Sequence, residues 1–95
     1  MRYLAVTRIP GAAWDDERSL DEQDHFAEHA SFMNALVAEG FIVLGGPLSD
    51  GASVLLIVDA ASENAVRARL AGDPWSELRL LEVTDVQEWE ILLGG

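Results

Sequence analysis

A chain of 95 residues with 49% apolar content accommodates one folded domain, residues 1–95, and a chain this short buries only about 60–65% of its unfolded surface. With no cysteine and no lysine, it forms neither disulfides nor thiolate metal sites, and Schiff-base chemistry on a lysine is excluded; all six basic residues are arginine. The formal net charge of −11, with seven acids between Asp15 and Glu28, argues against nucleic acid and anionic membrane as partners.

Residues 3–9 (Tyr-Leu-Ala-Val-Thr-Arg-Ile) are β-prone and end at the turn pair Pro10-Gly11. That apolar stretch is too short for a secretory signal, and no run approaches the ~18–20 residues of a membrane span, so a cytoplasmic protein is expected. A polar loop over 11–19 carries Trp14. Ser19 and Glu22 have capping-box spacing, which predicts a helix starting there. Its apolar stripe is Phe26, Ala30, Met33 and Val37, flanked by His29 and Leu36, and Gly40 closes it.

Phe41–Leu44 predicts a second strand running into Gly45-Gly46-Pro47. After a turn at Ser49-Asp50-Gly51, residues 52–59 predict a third strand, pairing with the second as a hairpin. Ser62 caps a helix to about Leu70, which stops at Gly72-Asp73-Pro74. A last strand is expected from about Leu78 to Thr84, continuing past a kink near Asp85 toward Leu92. The order β-α-β-β-α-β is the split βαβ, or ferredoxin-like, pattern: an α+β fold with a four-stranded antiparallel sheet and two helices on one face. Strands 41–44 and 54–58 are apolar at consecutive positions, so both of their faces need cover. Helices cover one. A second copy on the other face, hence a homodimer, is the expectation.

His29 lies on the apolar face of the first helix, with His25 one turn earlier. A histidine so placed is ordinarily a hydrogen-bonded core residue, and Asp73 before Pro74 is ordinarily a turn former. Topology adds a second reading. The end of the second helix returns to the start of the first, bringing Asp73 to the rim that carries His25 and His29. A carboxylate holding an imidazole sets its tautomer and makes a usable general base. Two histidines with Glu28, Asp24 or Asp73 are also a candidate metal set, though without a metal-binding motif. Arg8, ending the first strand, is a candidate anion ligand or a surface partner of the acidic loop. Trp75 is a packing residue or the wall of a small-molecule pocket. Gly45-Gly46-Pro47 lacks the lysine and downstream helix of a phosphate loop.

The segment His29-Ala-Ser-Phe-Met-Asn-Ala-Leu-Val-Ala-Glu-Gly40, then Gly46-Pro47, then Asp73-Pro74-Trp75, resembles the YCII-like family of the dimeric α+β barrel superfamily. The likeness spans roughly residues 20–90. It implies a dimer whose two sheets share a barrel, and a site made of His29 and Asp73. It also implies cofactor-independent lyase, isomerase or dehydrochlorinase-like chemistry on a small cyclic or aromatic metabolite. Family members often carry a basic residue shortly before the helix histidine, where this chain has Asp24-His25-Phe26. His25 or Arg8 would then have to meet an anionic substrate. Two functions are carried forward: an acid–base enzyme using His29 and Asp73, with Arg8, His25 and Trp75 around the ligand, or a non-catalytic dimeric ligand-binding or accessory module.

Overall fold

In the computed structural model, which describes residues 2–94, the first strand β1 spans Arg2–Pro10. Its side chains alternate strictly. Leu4, Val6 and Arg8 are buried, whereas Tyr3, Ala5 and Thr7 on the other face are half-buried, the period-2 pattern of a strand with one covered side. Helix α1 (Phe26–Ala38), strands β2 (Ile42–Pro47) and β3 (Val54–Val58), helix α2 (Glu63–Leu70), a one-turn helix α3 (Pro74–Glu77) and strand β4 (Leu81–Glu90) follow. The strands form one antiparallel sheet in the order β2-β3-β1-β4. The expected α+β fold is present, with α3 as a third helix beyond the two that the sequence predicts.

α1 starts later than its capping box implied. Ser19 and Glu22 do pair, the Glu22 carboxylate accepting the Ser19 N–H at 3.1 Å, but they close only a 3-10 turn over Leu20–Glu22. Two contacts stop the helix there. The buried Gln23 amide binds back to the loop through the Asp15 and Arg18 carbonyls, and the Asp24 carbonyl accepts the Trp75 indole N–H at 2.7 Å. His25 then takes a left-handed conformation (φ 60°) and the helix begins after it.

The core lies between one sheet face and the helices. Leu4 and Val6 of β1 with Val54, Leu56 and Val58 of β3 meet Leu36 of α1, Val66 and Leu70 of α2, and Trp75 of α3. A bulge at Val43 lets the apolar run of β2 change phase, since Ile42 pairs with Val58 but Leu44 with Ile57. Ile42 therefore points into the core and Leu44 away from it. A second bulge, at Thr84, interrupts β4 where a kink near Asp85 was expected, and the strand runs on to Glu90. On the face away from the helices, the register lines up Leu44, Ile57 and Ala5, then Leu55 and Thr7, then Tyr3 and Trp89. Leu44 is 67% exposed there and Trp89 44%. Among the described residues no helix is long and apolar enough to cross a membrane.

Candidate functional site

Three elements converge on one carboxylate. Asp73 is the N-cap of α3: its Oδ1 accepts the Trp75 N–H at 3.0 Å, and Pro74 occupies the first helical position, where a missing N–H costs nothing. From α1, His29 Nδ1 lies 2.8 Å from Asp73 Oδ2 and 3.0 Å from Oδ1. From β1, Arg8 Nη1 donates to Oδ2 at 2.7 Å, and its Nη2 donates to Ser76 Oγ at 2.9 Å. Ser76 in turn donates to the Leu70 carbonyl at 2.7 Å. Arg8 and Asp73 are both fully buried.

Burial pushes the Asp73 carboxyl up. The hydrogen bonds from His29, Arg8 and the Trp75 N–H together outweigh that push and hold it below the ordinary carboxylate value. An ionised carboxylate only accepts, so the proton on the shared edge belongs to His29 Nδ1. The imidazole is also clamped by a ring. It stacks on the Trp75 indole with centroids 3.8 Å apart and planes 4° from parallel, and Trp14 packs edge-on against Trp75 with centroids 5.9 Å apart.

His29 Nε2 has no hydrogen-bond partner among the described residues, and it is not sealed in. His29 borders a cavity of about 220 Å³ whose lining is mostly apolar: Leu20, Met33, Val37, Ile42, Val54 and Leu56, with the backbone of Gly45-Gly46-Pro47. Asn34 stands at its rim. Val37, half exposed at 52%, belongs to this wall rather than to the core stripe.

The expected site residues separate into those brought together and those not. His29 and Asp73 meet. Arg8 is neither a surface partner of the acidic loop nor an exposed anion ligand, because the strand alternation turns it inward onto Asp73. Trp75 backs the histidine from a fully buried position and does not wall the cavity. His25 sits at the exposed start of α1, 3.8 Å from Glu28, and is not among the cavity residues. Among the described residues no cluster of three or more His, Asp or Glu is arranged to hold a metal ion. Nothing in the sequence marks Ser76, which joins the site through Arg8 and the Leu70 carbonyl. The inward turn of Arg8 was readable there, since it follows Leu4 and Val6 at period 2.

A family model described as YCII-related domain matches residues 1–90. No curated protein matches the chain. Among solved structures, the chain is similar to 5-chloro-2-hydroxyhydroquinone dehydrochlorinase (TftG) of Burkholderia phenoliruptrix AC1100, in complex with 2,5-dihydroxybenzoquinone. The TM-score is 0.61 at 21% identity, over 99% of this chain and 96% of that one. It is also similar to a structural-genomics protein, YJCS, with a TM-score of 0.57 and 14% identity over 95% and 97% of the two chains. At these identities the likeness is one of fold.

Proposed function

The chain belongs to the family of the YCII-related domain, and from that premise we propose that it is an acid–base enzyme acting on a small, uncharged or phenolic ring compound, with His29 as general base or proton shuttle. The observation that carries this reading is the orientation of His29. Its Nδ1 is anchored on a buried ionised carboxylate, while Nε2, without a partner among the described residues, belongs to a side chain that borders an apolar cavity. Asp73 orients the ring and offsets the charge that forms when Nε2 takes a proton. Assistance of this kind contributes about 10²–10⁴ in rate, which suits an enol, a hydroxyquinol or a lactone rather than an unactivated C–H bond.

Size and charge narrow the substrate. At about 220 Å³ the cavity lies below the ~300–1,000 Å³ of drug-sized sites and suits a single ring. Every arginine is already paired with a carboxylate: Arg2 with Glu90, Arg8 with Asp73, Arg18 with Asp24, Arg67 with Glu63, Arg69 with Glu39 and Arg79 with Glu82. No arginine borders the cavity to meet a carboxylate group on a ligand. The fold-level likeness to a dehydrochlorinase with a bound dihydroxybenzoquinone agrees with a hydroxylated ring of this size.

A second copy completes this reading. The face of the sheet away from the helices presents Leu44, Leu55, Ile57, Ala5 and Trp89, which supports a homodimer joined sheet to sheet.

The test is a turnover screen with chlorinated and unchlorinated hydroxyquinols and neutral lactones, on wild type and His29→Gln. The expected result is wild-type turnover that falls at least about 10²-fold in the variant, with its fold unchanged by circular dichroism. Equal turnover by His29→Gln removes the histidine from the chemistry. Ligands that bind in the cavity but are never converted favour a non-catalytic binding module instead.

A further inference from the structure

A histidine held by an aspartate is useful as a base only while its outer nitrogen is unprotonated, and a buried carboxylate pulls the other way. Asp73 is fully buried, and a buried anion requires a cation beside it. With no other partner, the carboxylate would recruit that charge from His29 and keep the ring as imidazolium, with Nε2 blocked. Here a permanent cation is present. Arg8 Nη1 lies 2.7 Å from Asp73 Oδ2, the oxygen that also faces His29 Nδ1 at 2.8 Å. Arginine does not deprotonate in proteins, so the charge of Asp73 is met whatever His29 does.

The geometry points to Arg8 as a positioning residue that frees His29 for base chemistry: it neutralises Asp73, so that His29 can hold the carboxylate as a neutral Nδ1–H donor with an open Nε2. This rests on the acid–base reading of the site, yet concerns the state of the ring and not any turnover. A protonated His29 would be a second cation on a carboxylate whose charge Arg8 already meets.

The other groups around the ring do not replace Arg8. From α3, Ser76 is neutral and accepts from Arg8, and the Trp75 face stacked on the imidazole favours a charged ring, against the proposed effect. From the segment before α1, the Asp24 side chain is turned outward to Arg18, and His25 lies with Glu28 at the exposed helix start. The facing residues of β2 and β3, Ile42, Gly45, Val54 and Leu56, do not titrate. Among the described residues Arg8 itself has no second carboxylate and its Nε has no partner; Nη1 lies 3.9 Å from the Met33 sulfur.

Nitrogen-15 NMR of the His29 ring tests this without a substrate. In wild type at about pH 7.5, where a histidine charged by its carboxylate would still be doubly protonated, the expected spectrum is the neutral Nδ1–H tautomer. In Arg8→Met the midpoint of the ring titration should move up by at least about one pH unit, tenfold more imidazolium at a given pH. Arg8→Lys, which keeps the charge, should return most of that shift. His25, outside the network, should titrate alike in all three. An imidazolium in wild type at about pH 7.5 overturns the proposal, as does a folded Arg8→Met whose His29 midpoint is unmoved. Should Arg8→Met fail to fold, Arg8→Gln, which also removes the charge, decides: an upward-moved His29 midpoint supports the assignment, and an unmoved one refutes it.

Discussion

Asp73 is one residue serving three structural ends: it caps α3, anchors His29 and neutralises Arg8. Its substitution is correspondingly costly. Asp73→Asn leaves a buried guanidinium without its counter-charge, a change that typically costs about 3–5 kcal/mol. Chemical denaturation near neutral pH should show a loss of that order, and a loss within the error of the measurement would mean that the pair contributes little. The sign with pH follows from the lowered carboxyl. Its folded value lies below the unfolded value of about 3.9, so its stabilisation is complete above that value and is lost as pH falls through the lowered one. The gap between wild type and Asp73→Asn should therefore close in strong acid. Comparing the two at each pH cancels the titration of the other acids.

At the scale of elements, the connections that carry the site depend on close approach. The loop after β1 is tied to the end of α3 by Gly11 N–H to the Leu80 carbonyl at 2.9 Å and Ala13 N–H to the Arg79 carbonyl at 3.0 Å. A Cβ on Gly11 would sit 2.2 Å from the Arg79 carbonyl oxygen, which is backbone and cannot swing aside. Arg79 itself is left-handed (φ 62°), so this junction has little freedom left. Gly11→Ala should destabilise the fold by about 1–3 kcal/mol. Gly46→Ala, where a Cβ meets nothing within 4 Å, should lose far less. Equal melting temperatures for the two variants would show that the loop packs more loosely than this.

The whole molecule presents one sheet face to the helices and leaves the other bare. Leu44, Leu55 and Trp89 are 67%, 38% and 44% exposed on that bare face, a cost that a chain of 95 residues bears poorly alone. If a second copy covers it, Leu55→Glu at the centre of the face should convert a dimer into a monomer in sedimentation equilibrium, with the wild type dimeric at micromolar concentration. A monomeric wild type would refute the arrangement.

Much of this was written in the residues one after another. The β-prone run of β1, the consecutive apolar run of β3, the 3.6-residue stripe of α1 and the Gly-Asp-Pro stop after α2 specify the element order, because these strand and helix patterns are local. His29 and Asp73 were recognisable as candidates by type and place. What the chain order could not contain is the partnership of side chains far apart in sequence. Arg8 and Asp73 are 65 positions apart, and only the return of α3 against β1 makes them a buried ion pair. The late start of α1 has the same origin: the Trp75 indole, 51 positions away, takes the Asp24 carbonyl, and local capping signals yield to that contact. Electrostatics decides such a site. The charge state of a buried carboxylate depends on which cations surround it in space, and that is a property of the tertiary structure alone.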